Sequence, residues 1–480
     1  MVKRIISTVF AGFRDEEDDP TAAPWRRLIR ISLPLIFNQG SVLVMMFFDR
    51  IFLSWYGINE IAAVWPAAIL CWTTTTFFYS ISTFINLFVA HYHGAGNKRM
   101  CASTVWQGIY YAVGAYVILI CCLAPLGRHA FEWFGHAPEV AALERTYYTV
   151  LICASLFTIL NNVTASFFTG RGMSRITMTA NIIGNIVNIV LDWVLIFGHF
   201  GFPRLGILGA ALATAIASVI PPAIMFVLFL GQRYQEGYET RRTWRFRPGF
   251  VLHLVRTGAP CGLQDLGFLL SVSLFFMLMG RTPTESLAAN NIAWSVNDLL
   301  NLYVQGLAGG AVVLFAQEIG RGRFKEAEHF IHLGLKILLS MALVSAALYL
   351  LIPDQMLTAF RPRLGQGPSV PFETILVHGR VVLRYLAVWN ICISMYFLFR
   401  QALRGAGDTR FFYFTAVLID AGVYMGGVFL ILKAFGTNVT ALWAYLLFYM
   451  LLACTVYVTR FRLGYWRTAD RAHLDEAHLW

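Results

Sequence analysis

Gly170-Arg171-Gly172-Met173-Ser174-Arg175 recurs 235 residues later as Gly405-Ala406-Gly407-Asp408-Thr409-Arg410. Working outward, three more pairs follow in the same order at a constant offset of 226: Leu33-Pro34 with Ala259-Pro260, Ala62-Ala63 with Ala288-Ala289, and Gly94-Ala95-Gly96 with Gly320-Arg321-Gly322. Each pair alone carries little, because Gly and Pro are common. Their shared order and register divide the chain into two halves built on one plan.

Composition says what kind of halves these are. Hydrophobic residues make up 58% of the chain and charged ones 13%, against about 25% charged in soluble domains. Twelve apolar runs are long enough to cross ~30 Å of hydrocarbon: 28–54, 62–90, 102–126, 145–169, 176–199, 207–230, 251–280, 286–315, 327–352, 376–400, 411–434 and 440–460. None shows the strict alternation of a membrane β-barrel, so helices must satisfy the backbone. The expected fold class is an all-α membrane protein of two pseudo-symmetric six-helix bundles. Six spans per half make the repeats parallel, related by an axis along the membrane normal, with a solute cleft between the bundles. The expected organisation is an arm (1–27), a first lobe (28–230), a polar, Arg-rich linker suited to joining moving lobes (231–250), a second lobe (251–460) and a tail (461–480).

The net charge of +11 is explained by topology. With the N-terminus inside, twenty-five Lys and Arg fall on the cytoplasmic side. Only Arg128, Arg145, Arg204, Arg281, Arg361, Arg363 and Lys433 fall outside. This positive-inside bias places both termini in the cytoplasm and gives no reason to invoke nucleic acid; the expected location of this multi-pass protein is the plasma membrane (bacterial inner membrane). The N-terminus lacks a secretory signal: Ile5 to Phe13 is short and precedes the acidic run Asp15 to Asp19, which leaves an interfacial arm or a loosely ordered terminus. The eight cysteines form no disulfide framework, and His91 with His93 lacks a third metal ligand. Without room for an extramembrane catalytic module, the chain is not expected to be an enzyme, and no cofactor is expected.

Carboxylates inside spans are the functional candidates: Asp49, Asp192, Asp265, Asp298 and Asp420. Each costs ~2.5–3.5 kcal/mol at the bilayer centre unless it finds a partner, water or a proton. In the fifth span Asn181, Asn185, Asn188 and Asp192 step by four, three and four, which puts all four on one helical face. Such a stripe offers hard oxygen ligands for a small cation, including Na+, or hydrogen bonds to a protonatable acid. The competing use is interhelical bonding. Both remain open for Asn181 and Asn185; Asn188 and Asp192 point to function.

In the eighth span Asn290, Trp294, Asn297 or Asp298, Asn301 and Gln305 recur at helical spacing. They give the cleft a polar wall. Phe47, Trp72 and Tyr79 give the opposite wall rings that can stack on flat cations, though ordinary packing explains any one of them. Asn38, Gln39, Gln264, Asp265, Trp294, Asp298 and Asn301 complete the cleft candidates.

Several of these segments resemble the multidrug and toxic compound extrusion (MATE) transporters. The resemblance runs from Leu33-Pro34 through Asp49 to Ala62-Ala63-Val64 and Ala90-His91-Tyr92-His93-Gly94-Ala95-Gly96. It continues through Gly170 to Arg175, Gly184 to Asp192, Leu205 to Thr214 and, most closely, Arg404 to Arg410. It covers about residues 28–460 and implies a V-shaped antiporter of twelve helices that exports organic solutes for H+ or Na+. By the same resemblance Asp49, Asn188, Asp192 and Thr214 bind the coupling ion in the first lobe. Arg50 stands where the family has a neutral residue, and neutralisation of Asp49 by Arg50 would undercut that role. The NorM-type glutamate of the seventh span is Phe268 here, and no acid lies between Glu373 and Asp408. That pattern is nearer the DinF type. Asp265, three residues before Phe268, is placed to stand in or to act as a counter-ion.

The solute expected from this reading is cationic or amphipathic and drug-like, and the working unit a monomer in the lipid bilayer. Two other readings compete with this one. A lipid-linked saccharide flippase of the same superfamily needs a cationic cavity, for which Arg50, Arg380 and Arg384 are the only near-span arginines. An intramembrane lipid-modifying enzyme needs acids, His or Cys gathered near one face, whereas these acids are spread over several helices.

Overall fold

The computed structural model describes residues 22–133, 138–279, 284–360, 372–435 and 438–467. The expected arm 1–27 and tail 461–480 therefore lie mostly outside the described residues, as do Arg281, Arg361 and Arg363.

Among the described residues eleven helices are long and apolar enough to cross a membrane, and Pro248–Met279, 32 residues long, takes the place of the remaining expected span. In chain order the first bundle is α1 (Pro24–Tyr56), α2 (Ala62–Gly94), α3 (Lys98–Phe131), α4 (Pro138–Thr169), α5 (Ser174–Phe197) and α6 (Ile207–Phe229). The second is α7 (Pro248–Met279), α8 (Ser286–Gly320), α9 (Phe324–Leu351), α10 (Phe372–Gly405), α11 (Arg410–Ile431) and α12 (Val439–Arg462). Most helices outrun their apolar runs, because helical hydrogen bonding continues into polar flanks.

The halves pack alike. α1 pairs with α5, α2 with α4 and α4 with α6; in the second half α7 pairs with α11, α8 with α10 and α10 with α12. The bundles meet through α1 and α2 against α8, and α2 against α7.

The repeated glycine motif explains four helix ends on one side of the molecule. Gly96, Gly172, Gly322 and Gly407 all have φ between 74° and 87°, the left-handed region where a Cβ is penalised. After each, an amide turns back five residues: Asn97 to Tyr92, Met173 to Phe168, Arg323 to Glu318 and Asp408 to Leu403. These are Schellman closures, which satisfy the last carbonyls of a helix. The first glycine of each motif has a different duty, close approach. A Cβ on Gly94 would collide with the carbonyl oxygen of Gln317, and one on Gly320 with that of His91. Residues 91 and 317, like 94 and 320, are 226 apart, so the seam between bundles obeys a local two-fold relation.

Beside this seam Gln317 donates to the carbonyl of Gly170 (2.8 Å), and Arg27 pairs with Glu318 (3.0 Å), which Arg321 also contacts. Further along, Gly306 and Gly310 of α8 pack on Ile36 and Ser32, while Gly258 and Gly262 of α7 pack on Ile81 and Phe77. At the far ends of these helices Phe47, Trp55, Trp65, Trp72 and Leu299 are exposed. The two bundles are thus closed at the end bearing the termini and splayed at the other.

Two features add to the sequence reading. The linker is not a free connector. Trp106 donates to Thr240 O (2.7 Å), Gln107 to Arg245 O (2.9 Å), and Arg247 N to Gln107 Oε1 (2.8 Å). Arg171 lies over the rings of Phe167, Tyr234 and Tyr238. The segment 231–247 therefore belongs mechanically to the first bundle. Nor are the termini-side arginines simply solvated: Arg27, Arg171, Arg400 and Arg404 are buried, because each finds an aromatic face or a carboxylate. Arg380, at the other end of α10, forks onto Asp354 through Nε (2.6 Å) and Nη2 (2.9 Å), and this guanidinium holds the Asp354 carboxyl below the usual range. It is engaged there, which weakens the cationic cavity a flippase would need.

Candidate functional site

α5 carries the first cluster. Gly184 leaves room for the ring of Pro221, and Gly209 for the backbone at Leu195. With no Cβ at either contact, α5 and α6 pack closely, and Thr214 comes within reach of Asn188. In the amide orientation that satisfies both ends, Asn188 donates to Asp192 Oδ2 (3.1 Å) and accepts from Thr214 N (3.2 Å) and Oγ1 (3.3 Å). Asn188 and Asp192 are buried. Asp49 of α1 lies within electrostatic range of Asp192. Each carboxylate keeps one buried oxygen, Oδ1, without a hydrogen-bond partner. Two such acids close together do not both stay charged in a low dielectric without a cation. The donor set of carboxylate, amide and hydroxyl oxygens fits H+ or a hard cation such as Na+. Among the described residues no group of three His, Cys, Asp or Glu gathers for a metal ion.

The stripe on α5 divides in two. Asn181 accepts from Asn161 of α4 (3.1 Å), and Asn185 donates to Ser41 of α1 (2.8 Å); these two bond neighbouring helices. Sequence reasoning missed Tyr147 of α4, which is buried within range of both Asp49 and Asp192. Tyrosine is common in this chain, and no spacing singled it out. Among the described residues Arg50 forms no ion pair with Asp49, although its charge acts on that carboxyl. Its guanidinium sits 4.6 Å from the centroid of Trp65, is exposed, and acts across the cleft on Asp298 of α8.

The eighth-span face also divides. Asp298 and Gln305 are exposed, and Gln305 meets Gln39 of α1 (3.3 Å). Asn290, Asn297 and Asn301 turn into the second bundle, bonded to Trp443, Tyr349 and Asn390; Trp294 packs on Trp443. Helical spacing of three and four spreads residues over a sector wide enough to serve both sides. Trp294 and Asn301 are therefore removed from the cleft. So is Gln264, fully buried between Tyr396 (3.2 Å), Asp420 (2.9 Å) and Arg400 (2.8 Å). Phe47 and Trp72 stay exposed; Asn38, Gln39 and Tyr79 are half-buried, and Tyr79 lies 5.3 Å from the Trp72 ring.

Asp265 is the charged point of the seam. It pairs with Arg400 and with Arg404 (2.9 Å) of α10, and accepts from Ser80 of α2 (2.5 Å). Asp420, accepting from Gln264 and from Tyr449 (2.6 Å), lies behind it in an eleven-residue π-helical stretch of α11. The network is charge-paired, although Arg400 Nη2 and Arg404 Nε stay without a hydrogen-bond partner of normal geometry. It answers the question left open by the sequence: Asp265 balances arginines of its own bundle and is not a free counter-ion. The Asp265→Asn protein is expected to lose roughly 3–5 kcal/mol of stability, because two buried guanidiniums lose their counter-charge; thermal unfolding in detergent measures this.

A family model described as MatE matches residues 34–194 and 260–422, more than half the chain. Among curated relatives, "Probable multidrug resistance protein NorM" of Thermotoga maritima is 22% identical over 84% of both chains. A protein of the same description from Geobacillus kaustophilus is 25% identical over 84% of this chain and 87% of its own. Among solved structures, a MOP superfamily transporter from Pyrococcus furiosus, reported for the reversed polarity of its binding pocket, aligns with a TM-score of 0.80. It is 19% identical, over 93% of this chain and 97% of that one. An outward-facing multidrug resistance MATE family transporter aligns equally well, with 18% identity over 94% and 97%. These likenesses match the twelve-helix, V-shaped fold.

Proposed function

This chain belongs to the MatE family, and from that premise we propose that it is a secondary antiporter that exports amphipathic organic solutes against an inward flux of H+ or Na+. The single observation that carries the coupling is the pair Asp49 and Asp192, each with an unpartnered buried oxygen, tied by Asn188 to Thr214. We assign the termini side to the cytoplasm by its basic residues. The state described here then faces outward, sealed inside by Gly94, Gly320 and the Arg27–Glu318 pair.

Occupancy of the acid pair sets which seam is the more stable. A cation entering from outside neutralises the first bundle. Closure of the outer cleft and parting of the inner seam then release the ion inward and expose the cleft to solute. Arg50 and Asp298 place one charge of each sign on the cleft walls, and Phe47, Trp72 and Tyr79 add exposed or half-buried rings. Amphipathic solutes bearing either charge can find a counter-ion there, and neither lipid-linked saccharide transport nor intramembrane catalysis accounts for the ion pocket.

The test is dye efflux from reconstituted vesicles under a proton gradient alone, then a sodium gradient alone. Export under one of them is expected. Export under neither removes the antiporter assignment.

A further inference from the structure

A cavity apart from the lobe interface lies in the first bundle, between α3 and α4, towards the end opposite the termini. It has a volume of about 480 Å³. Its buried and half-buried apolar lining is Ile120, Ala124 and Ile152, with Pro125 and Cys153 exposed at its edge; Arg128 and His129, both exposed, and the half-buried Arg145 add the basic groups. Arg128 and Arg145 are two of the few basic residues on the side opposite the termini, and they converge here. Thr149, also in the lining, turns its hydroxyl to its own helix at Arg145 O (2.6 Å).

The surroundings point to lipid. Near the cavity α3 exposes Val117, Ile118, Cys121, Cys122 and Leu126, and in a membrane bundle such a surface faces acyl chains. A π-helical turn at Leu119–Leu123 interrupts α3 beside the cavity. Such bulges recur at functional sites. Basic groups beside an apolar lining match the polarity of a phospholipid lying along the helices. Two guanidiniums supply the planar donor forks that match phosphate oxygens.

We propose that this cavity binds the headgroup phosphate of an anionic glycerophospholipid in the leaflet opposite the termini, with Arg128 and Arg145 as its ligands. The acyl chains lie along Ile120 and Ile152. The site is separate from the ion pocket and from the cleft, and does not depend on the assignment of either.

The test is lipid retention by the full chain in nanodiscs of phosphatidylglycerol and phosphatidylcholine, read by native mass spectrometry. The parent protein is expected to retain phosphatidylglycerol preferentially. The double variant Arg128→Gln/Arg145→Gln should lose that preference by roughly thirty-fold. The exposed single variant Arg128→Gln should lose about five-fold and serves if the double variant fails to fold. Lysine at both positions should restore part of it. An undiminished preference in the variants overturns the proposal, as does equal displacement of the lipid by soluble glycerol 3-phosphate, which would assign the basic groups to free phosphate.

Discussion

Vesicles containing the Asp192→Asn protein should show no gradient-driven efflux while the protein retains its parent folding and melting behaviour. The substitution is isosteric, and the neighbouring amide of Asn188 can reorient to keep a hydrogen bond at 3.1 Å separation. What disappears is the group that takes up the cation. One charge moved across 100 mV supplies ~2.3 kcal/mol, or roughly a fifty-fold concentration ratio; without it, export should fall to passive leak. Asp49→Asn should have the same effect, and the double variant should be no worse than either single one, because both acids serve one pocket. Efflux undiminished in Asp192→Asn would remove the pocket from the mechanism.

The Gly94→Ala protein should no longer hold the termini side closed. The added methyl falls on the carbonyl oxygen of Gln317, which is backbone and cannot swing aside. Overpacking of this kind costs ~1–3 kcal/mol, so the closed state should lose between about five- and 150-fold in population. Gly320→Ala should behave identically, since it meets His91 by the same geometry. Gly114→Ala is the control, with nothing within 4 Å of the new methyl. Spin labels at the exposed positions Lys98 and Lys325 report the separation as a longer distance. An unchanged distance distribution in both variants would show that the glycines are not what permits the seam.

The large features of this fold were legible because they are local. Apolar runs fixed the spans, the 226-residue offset paired the halves, and the spacing of Asn188 and Asp192 put them on one face before any neighbour was known. What stayed hidden was non-local. That Asn181 and Asn185 would bond Asn161 and Ser41 depends on which helices stand beside α5. That Gln264, Trp294 and Asn301 meet partners inside the second bundle depends on which helices stand beside α7 and α8. That Arg400 and Arg404 pair with Asp265 is not visible along the chain, since nothing in their sequence neighbourhood reveals Asp265. The docked linker was obscured for the same reason: its anchors on Trp106 and Gln107 lie more than 130 residues away.

Because Gly94 faces the peptide next to Gly320's own helix end and the reverse holds, the seam is self-complementary. A single polypeptide here encloses the geometry of a homodimer. Joining two copies of an ancestral six-helix unit in tandem would have needed no new surface, only a tether. It would also have freed each copy to diverge, so that one now holds the titratable pocket and the other a sealed lattice of arginine, tyrosine and amide.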